Sequence, residues 1–166
     1  RRQRQMCIRD REKVVLPTVA FVGRLFPNLT VQGLGDPNYA YSLLKQYKGE
    51  WEFDTNWKMI FGHPKKAGWI KAIQEAQQTV QKGLKLDCPI LVMSSNKSFP
   101  ETETWHEEYM TSDIVLDVQD IQKYGEKLGD KVTRDTIPNG IHDLILSQKP
   151  YRNDAYQTIF EWLKKQ

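Results

Sequence analysis

The chain has 166 residues and a formal net charge of +3, from 24 Lys and Arg against 21 Asp and Glu. Residues 1–13 hold six of the basic residues and two of the acids, so they carry +4 and the rest of the chain carries −1. Because the remaining charges are mixed in sign, they do not predict the basic surface that nucleic-acid binding requires. No run approaches the ~20 apolar residues of a membrane-spanning helix, so no integral membrane segment is predicted.

The two cysteines, Cys7 and Cys88, are too few to predict a disulfide framework. This cysteine usage favours a reducing, cytoplasmic location. No metal site is predicted, because His106 beside Glu107 and Glu108 lacks both a second histidine at a metal-binding spacing and a cysteine partner.

The first 13 residues differ in character from the rest of the chain. Residues 1–11 have no apolar periodicity and join abruptly to a hydrophobic stretch. They resemble the translated read-through of a sequencing adapter, so we predict that residues 1–13 are an artefactual leader, to be excluded from the fold. A disordered basic tail that binds nucleic acid or anionic lipid is the alternative interpretation.

The region at about residues 14–65 is rich in aromatic side chains and is interrupted by glycine and proline. Aromatic residues at such spacings either pack a core or line a pocket. Both interpretations stay open at this point.

Two short segments of the second half predict parallel strands. Residues 88–95 are an apolar run opened by a proline and closed by small polar residues, as in a buried strand, and residues 131–137 form the second segment. Between them, Asp117 is predicted to cap a helix that ends with Gly129 in a left-handed C-cap. A closing helix is predicted from about Asp154.

An acid follows the first of these strands and a histidine follows the second. Asp113 stands after a polar stretch at residues 96–111, and His142 stands after a turn at residues 138–140. Since the carboxyl ends of adjacent parallel strands share one sheet edge, the two side chains can meet there. The carboxylate would then accept the imidazole Nδ1–H and leave Nε2 free to take a proton from a nucleophile. Asp143 is expected to cap the turn that follows.

At these residues the sequence resembles the C-terminal end of an α/β-hydrolase, of the lysophospholipase and monoacylglycerol-lipase type often described as serine aminopeptidase-like. In that family the triad acid opens a D-x-v-v/l-D turn after the penultimate strand, matched here by residues 113–117. The family histidine stands in a G-x-H turn after the last strand, matched by Gly140-Ile141-His142. The resemblance extends, in weaker form, through a predicted helix around residues 14–26, a Trp-rich segment and a predicted helix at about residues 66–83. It thus covers nearly everything after residue 13.

The resemblance implies an α/β fold. Residues 66–166 would form the C-terminal part of an α/β-hydrolase core, with its last parallel strands and flanking helices, and residues 14–65 a helical cap or lid. Asp113 and His142 would be the triad acid and base. Because the long polar insertion before the acid departs from the family pattern, Asp117 is the alternative acid.

The implied cap would roof the substrate pocket, which makes Trp51, Trp57 and Trp69 candidates for lining it. The expected substrate is a small-molecule or lipid ester. The resemblance implies no metal and no organic cofactor.

The family also requires a nucleophilic serine in a G-x-S-x-G elbow that precedes the acid and the histidine. None of the six serines here has a glycine two residues away on either side. We therefore expect a C-terminal fragment of a serine hydrolase for carboxylic, lipid-like esters, inactive by itself because the serine is absent. The alternative is a non-catalytic binding or interaction module of α/β-hydrolase type, in which Asp113 and His142 are relics.

Overall fold

The computed structural model describes residues 16–102 and 104–166. The predicted leader and the start of the first predicted helix lie outside the described residues. Helices and short strands alternate within them, in the order α1 (Leu16–Leu25), β1 (Thr30–Gln32), α2 (Asn38–Leu43), β2 (Lys65–Lys66), α3 (Ala67–Lys82), β3 (Ile90–Ser95), α4 (Val118–Gly125), β4 (Val132–Ile137) and α5 (Lys149–Leu163). This mixture of helices with small sheets agrees with the predicted α/β class.

Within the described residues, two further helical segments are short 3₁₀ helices, Glu107–Met110 and Leu144–Leu146. Among the helices in the described part of the chain, none combines the length and the apolar character needed to cross a bilayer.

The chain divides into two compact units. The first unit comprises the described residues up to Gly35 together with Gly62–Gln81, and the second comprises Asp36–Phe61 and Lys82–Gln166. The segment predicted as a helical cap, residues 14–65, thus contributes to both units. Of its described residues, only those in α1 and α2 are α-helical.

The first unit is organised around the start of α3. Strands β1 and β2 pair in antiparallel fashion just before it. The amides of Ala67 and Gly68 donate hydrogen bonds to the carbonyl oxygens of Leu29 and Pro27, at 2.8 and 3.0 Å. These first-turn amides have no partner within their own helix, so the chain that follows α1 caps α3.

The second unit contains a parallel sheet of β3 and β4. Their register runs from Ile90 opposite Val132 to Ser95 opposite Ile137, which confirms the two predicted strands in slightly shorter form. The predicted burial of the first strand is wrong over most of its length, because β3 is half-buried until its last two residues. Two strands are too narrow a sheet to cover a run of large apolar side chains on both faces.

The ends of α4 differ from the prediction at one of two positions. Asp117 caps its start as predicted, since the side chain accepts a hydrogen bond from the Gln119 amide at 2.8 Å. The predicted left-handed C-cap at Gly129 is wrong, because α4 ends four residues earlier and Gly129 does not have a positive φ. Gly129 instead permits close backbone approach, since a Cβ there would lie 2.3 Å from the carbonyl oxygen of Leu86.

The closing helix α5 begins at Lys149, five residues before the predicted start. Pro150 fits its first turn because proline has no amide hydrogen to leave unbonded there. Inside the second unit α5 buries Ala155 completely. The core of this unit also contains Leu43, Leu44, Tyr109, Ile137 and Ile141.

Replacement of Gly129 by alanine should destabilise the second unit. The added Cβ would clash with a backbone oxygen that cannot rotate away, so we expect a loss of about 1–3 kcal/mol in the free energy of unfolding. Urea denaturation followed by tryptophan fluorescence measures this loss. Gly33→Ala is the control, because a Cβ at Gly33 would meet nothing within 4 Å. Equal stability of the two variants would show that the close approach of the Leu86 carbonyl does not require a glycine at residue 129.

Candidate active site

The carboxyl ends of β3 and β4 lie side by side, and the candidate site is built on the loops that follow them. After β3 the chain makes a polar excursion, residues 96–111, and then returns to the residues where this excursion begins. The Phe99 amide donates to the carbonyl of Asp113 at 2.9 Å, and the Asp113 amide donates to the carbonyl of Lys97 at 3.0 Å. This clasp, which is a parallel bridge between Ser98 and Asp113, places the acid near the end of β3 despite the long insertion.

A tight turn after β4 brings in His142. Asn139 adopts a left-handed backbone conformation with φ 57°, which asparagine tolerates better than most residues. The Gly140 amide closes the turn with a 3.1 Å hydrogen bond back to the last residue of β4. The Ile141 amide then donates to Ser147 Oγ at 3.0 Å. The backbone that leads into His142 is therefore fixed at three successive residues.

Asp113 and His142 meet as predicted. His142 Nδ1 lies 2.9 Å from Asp113 Oδ2. The other carboxylate oxygen, Oδ1, accepts hydrogen bonds from the amides of Val115 and Leu116, both at 2.8 Å. The Asp113 side chain is 1% exposed and that of His142 is 28% exposed. A charge so deeply buried is stable only when its lone pairs are occupied by donors.

The two side chains stabilise each other's charged forms. Burial opposes ionisation of Asp113, but the hydrogen bonds from His142 and from the two backbone amides outweigh it and lower the pKa of the carboxyl group. The hydrogen bond to Asp113 raises the pKa of His142, against the opposing effect of burial. The ionised carboxylate favours the imidazole tautomer that carries its proton on Nδ1. Nε2 of the neutral ring then holds the lone pair of a base.

The alternative acid, Asp117, does not contact His142. Its Oδ1 accepts the Gln119 amide at the start of α4, which is the capping role described above. The geometry thus distinguishes between the two aspartates that the sequence pattern left as alternative acids. Asp113 is the carboxylate positioned to orient the imidazole.

No serine is bonded to the imidazole. All six serines lie in the described residues, and the hydroxyl groups of five of them hydrogen-bond to backbone groups: Ser42, Ser94, Ser95, Ser98 and Ser147. Ser112, buried beside Asp113, has no hydrogen-bond partner among the described residues. Nε2 of His142 likewise has none within residues 16–102 and 104–166. In the part of the chain that the structure describes, an acid and a base are therefore present here without a positioned serine.

Two residues that the sequence did not indicate lie close to His142. Tyr39 packs its ring edge-on to the imidazole, with centroids 6.3 Å apart, and its hydroxyl donates to Asp143 Oδ2. Lys58 Nζ lies 3.8 Å from the same oxygen. Asp143 makes no side-chain cap to the 3₁₀ helix that follows, so its predicted capping role is wrong. No local sequence signal links residues that are about 100 positions apart.

Two of the three candidate tryptophans line one cavity. This cavity has a volume of about 420 Å³ and is lined by Trp51, Glu52, Phe53, Asp54, Trp57, Lys58 and Leu146. Trp51 is anchored, since its Nε1 donates to the Leu146 carbonyl at 2.7 Å and Arg152 lies 4.6 Å above its ring. Trp57 is 87% exposed. Trp69 belongs to the other compact unit and is not among the lining residues.

His106, for which the sequence predicts no metal site, belongs to an aromatic cluster. Its ring lies 5.3 Å from that of Phe99 and 5.9 Å from that of Tyr109. In the part of the chain that the structure describes, histidine, cysteine and acidic side chains form no group of three that could hold a metal ion. The cluster instead packs the polar excursion that the clasp closes.

Asp113→Asn should remove a pH-dependent part of the stability. Because the pKa of His142 is raised in the folded chain, its contribution is complete below the ordinary histidine pKa and is lost as the pH rises through the folded value. We expect the variant to be less stable than the wild type by about 2 kcal/mol near pH ~5.5, and the difference to shrink towards pH ~9.

Urea denaturation at the two pH values measures this difference. Asp117→Asn is the matched control, because it removes a carboxylate of the same turn that does not contact His142. A stability difference for Asp113→Asn that grows with pH would contradict the expected coupling.

Comparisons of this chain with protein-family models, curated proteins and solved structures found no match.

Proposed function

We propose that this chain carries the acid and the base of a serine hydrolase, an esterase or lipase of the α/β-hydrolase type that acts on carboxylic, lipid-like esters. One observation carries the proposal: Asp113 and His142 are hydrogen-bonded at the carboxyl ends of two adjacent parallel strands. A buried carboxylate that is held by backbone amides and bonded to Nδ1 is the arrangement that orients a catalytic imidazole. The aspartate and glycine–histidine patterns around both residues support the same activity.

In this mechanism His142 acts through Nε2. As the serine hydroxyl attacks the ester carbonyl, Nε2 takes its proton, and the resulting imidazolium delivers that proton to the leaving alcohol. Asp113 stays ionised and stabilises the imidazolium through Nδ1. The serine and the amides that hold the oxyanion would be supplied from outside these 166 residues.

The cavity at Trp57 supports a lipid-like substrate. Its lining combines Trp51, Phe53, Trp57 and Leu146 with a few charged groups, and apolar walls of this kind favour an acyl chain over a peptide. Lys58 lines this cavity and also pairs with Asp143, the residue next to His142. An ester bound here would have its apolar part in the cavity.

A non-catalytic binding module is the second candidate. The observation that favours it is that no serine hydroxyl of the chain is bonded to His142, while five of the six are committed to backbone groups. In that case the Asp113–His142 pair serves the architecture of the loops, and the cavity binds without hydrolysis.

The gene sequence upstream of Val14 separates the two candidates. We expect it to encode, in frame, a G-x-S-x-G elbow, and the extended protein to hydrolyse nitrophenyl esters and to be labelled by a fluorophosphonate at the elbow serine. His142→Ala should lower kcat by about 10⁴-fold, because the serine loses its general base. His106→Ala is the control and should retain kcat.

An upstream frame with no G-x-S-x-G elbow would count against the hydrolase. Ester turnover by the 166-residue chain itself that disappears in His142→Ala would instead contradict the proposal that the serine lies outside the chain, since the nucleophile would then lie within it.

A long-chain fatty acid should bind the 420 Å³ cavity. Trp57→Ala should weaken this binding about tenfold, because the indole would no longer cover the acyl chain. Trp69→Ala is the matched control, since it removes a half-exposed tryptophan from the other unit. Isothermal titration calorimetry below the critical micelle concentration measures both affinities. Equal losses for the two variants would exclude the cavity as the acyl site.

A further inference from the structure

Asp143 is a second carboxylate beside the candidate base, and its side chain is held by two residues from a distant part of the chain. Tyr39 donates to Asp143 Oδ2 at 2.5 Å and accepts from the Asp143 amide at 3.3 Å. Lys58 Nζ lies 3.8 Å from the same Oδ2. One carboxylate oxygen therefore has both a hydroxyl donor and a cation next to it. Tyr39, Lys58 and Asp143 together form a clamp.

The clamp is anchored on both sides. Tyr39 lies on α2, whose neighbouring residue Asn38 is buried and donates from Nδ2 to the Thr102 carbonyl at 2.9 Å. Lys58 Nζ lies 5.4 Å above the Tyr39 ring. The hydroxyl and the ammonium group thus approach Asp143 from supports that do not depend on the histidine loop.

A free carboxylate at residue 143 would compete for the base. The Asp143 side chain is 43% exposed and is bonded in sequence to His142, whose Nε2 has no partner among the described residues. If Asp143 accepted a hydrogen bond from Nε2–H, both ring nitrogens would be donors to carboxylates. The imidazolium would then be favoured, and the lone pair needed to activate a nucleophile would be lost.

We propose that Tyr39 is a positioning residue that holds Asp143 away from His142, so that the imidazole has Asp113 as its single carboxylate partner and keeps Nε2 as a free base. Lys58 supports the same arrangement by balancing the charge of Asp143. The role in catalysis rests on the proposed function. The geometry itself is testable without turnover.

The charged groups that face His142 act in opposite directions. Asp113 and Asp143 raise the pKa of the imidazole, and Lys58 lowers it. Burial, together with the hydrogen bond to Asp143, raises the pKa of the Tyr39 hydroxyl. Tyr39 therefore stays protonated, and remains a donor to Asp143, throughout the range in which the histidine titrates.

NMR titration of the 166-residue chain, labelled at histidine, tests the clamp. Tyr39→Phe keeps the ring against His142 and removes only the hydroxyl, so the freed Asp143 should increase the protonation constant of His142 about threefold. Asp143→Asn should decrease it by a similar factor. In the double variant Tyr39→Phe, Asp143→Asn, the tyrosine substitution should have no further effect, because the competing carboxylate is gone.

Tyr156→Phe is the matched control, since Tyr156 is an exposed tyrosine of α5 and its removal should leave the His142 titration unchanged. Lys58→Met is an independent test, because loss of the cation should raise the protonation constant of His142. Backbone spectra and thermal melts show which variants are folded.

The double variant decides the result. If Tyr39→Phe shifts the His142 titration equally with and without Asp143, or does not shift it, the clamp is wrong. This outcome is distinct from failure of the proposed function, because a hydrolase elbow can be absent upstream while the clamp is intact. An elbow found upstream together with a failed clamp test would support the proposed function and exclude the clamp.

Discussion

The candidate site depends on the burial of one charge. The Asp113 carboxylate is almost fully withdrawn from water, and an ionised carboxyl group in that position is stable only if donors replace its hydration. Two of those donors are the amides of Val115 and Leu116, which requires a tight turn immediately after the acid. The third is His142, which requires that the loop after β4 reach the same point. The clasp, the aspartate turn and the histidine turn are all needed to satisfy a single side chain.

The parts of this arrangement that could be predicted are those written in short stretches of sequence. Strand β3 follows from an apolar run bounded by turn formers, and β4 follows from a short segment that ends at the turn of residues 138–140. The cap at Asp117 follows from its position before an amphipathic segment. The contact between Asp113 and His142 follows from the topology of parallel strands, which brings their carboxyl ends to one edge. Their catalytic roles remain a proposal, because geometry orients a base without identifying what it activates.

The parts that could not be predicted depend on contacts between remote segments. Tyr39 and Lys58 carry no motif, and their relation to Asp143 exists only once α2 and the histidine loop are packed in one unit. Gly129 shows the same limit, since a glycine at the end of an amphipathic pattern usually marks a left-handed cap. Here its missing side chain instead makes room for the carbonyl of Leu86. The sequence shows a glycine in both cases, and only the neighbouring segment at Leu86 distinguishes them.

Because of the clasp between Lys97, Phe99 and Asp113, the position of the acid does not depend on the length of the excursion. Once the base of a loop is closed by hydrogen bonds, each doubling of its length costs only about 0.6 kcal/mol of closure entropy. Exposed residues between the two sides of the clasp can therefore be added, removed or exchanged over evolutionary time while the carboxylate stays in place, provided that the buried Tyr109 is kept. The exposed part of the excursion is a position in the fold where the surface could diversify independently of the Asp113–His142 pair.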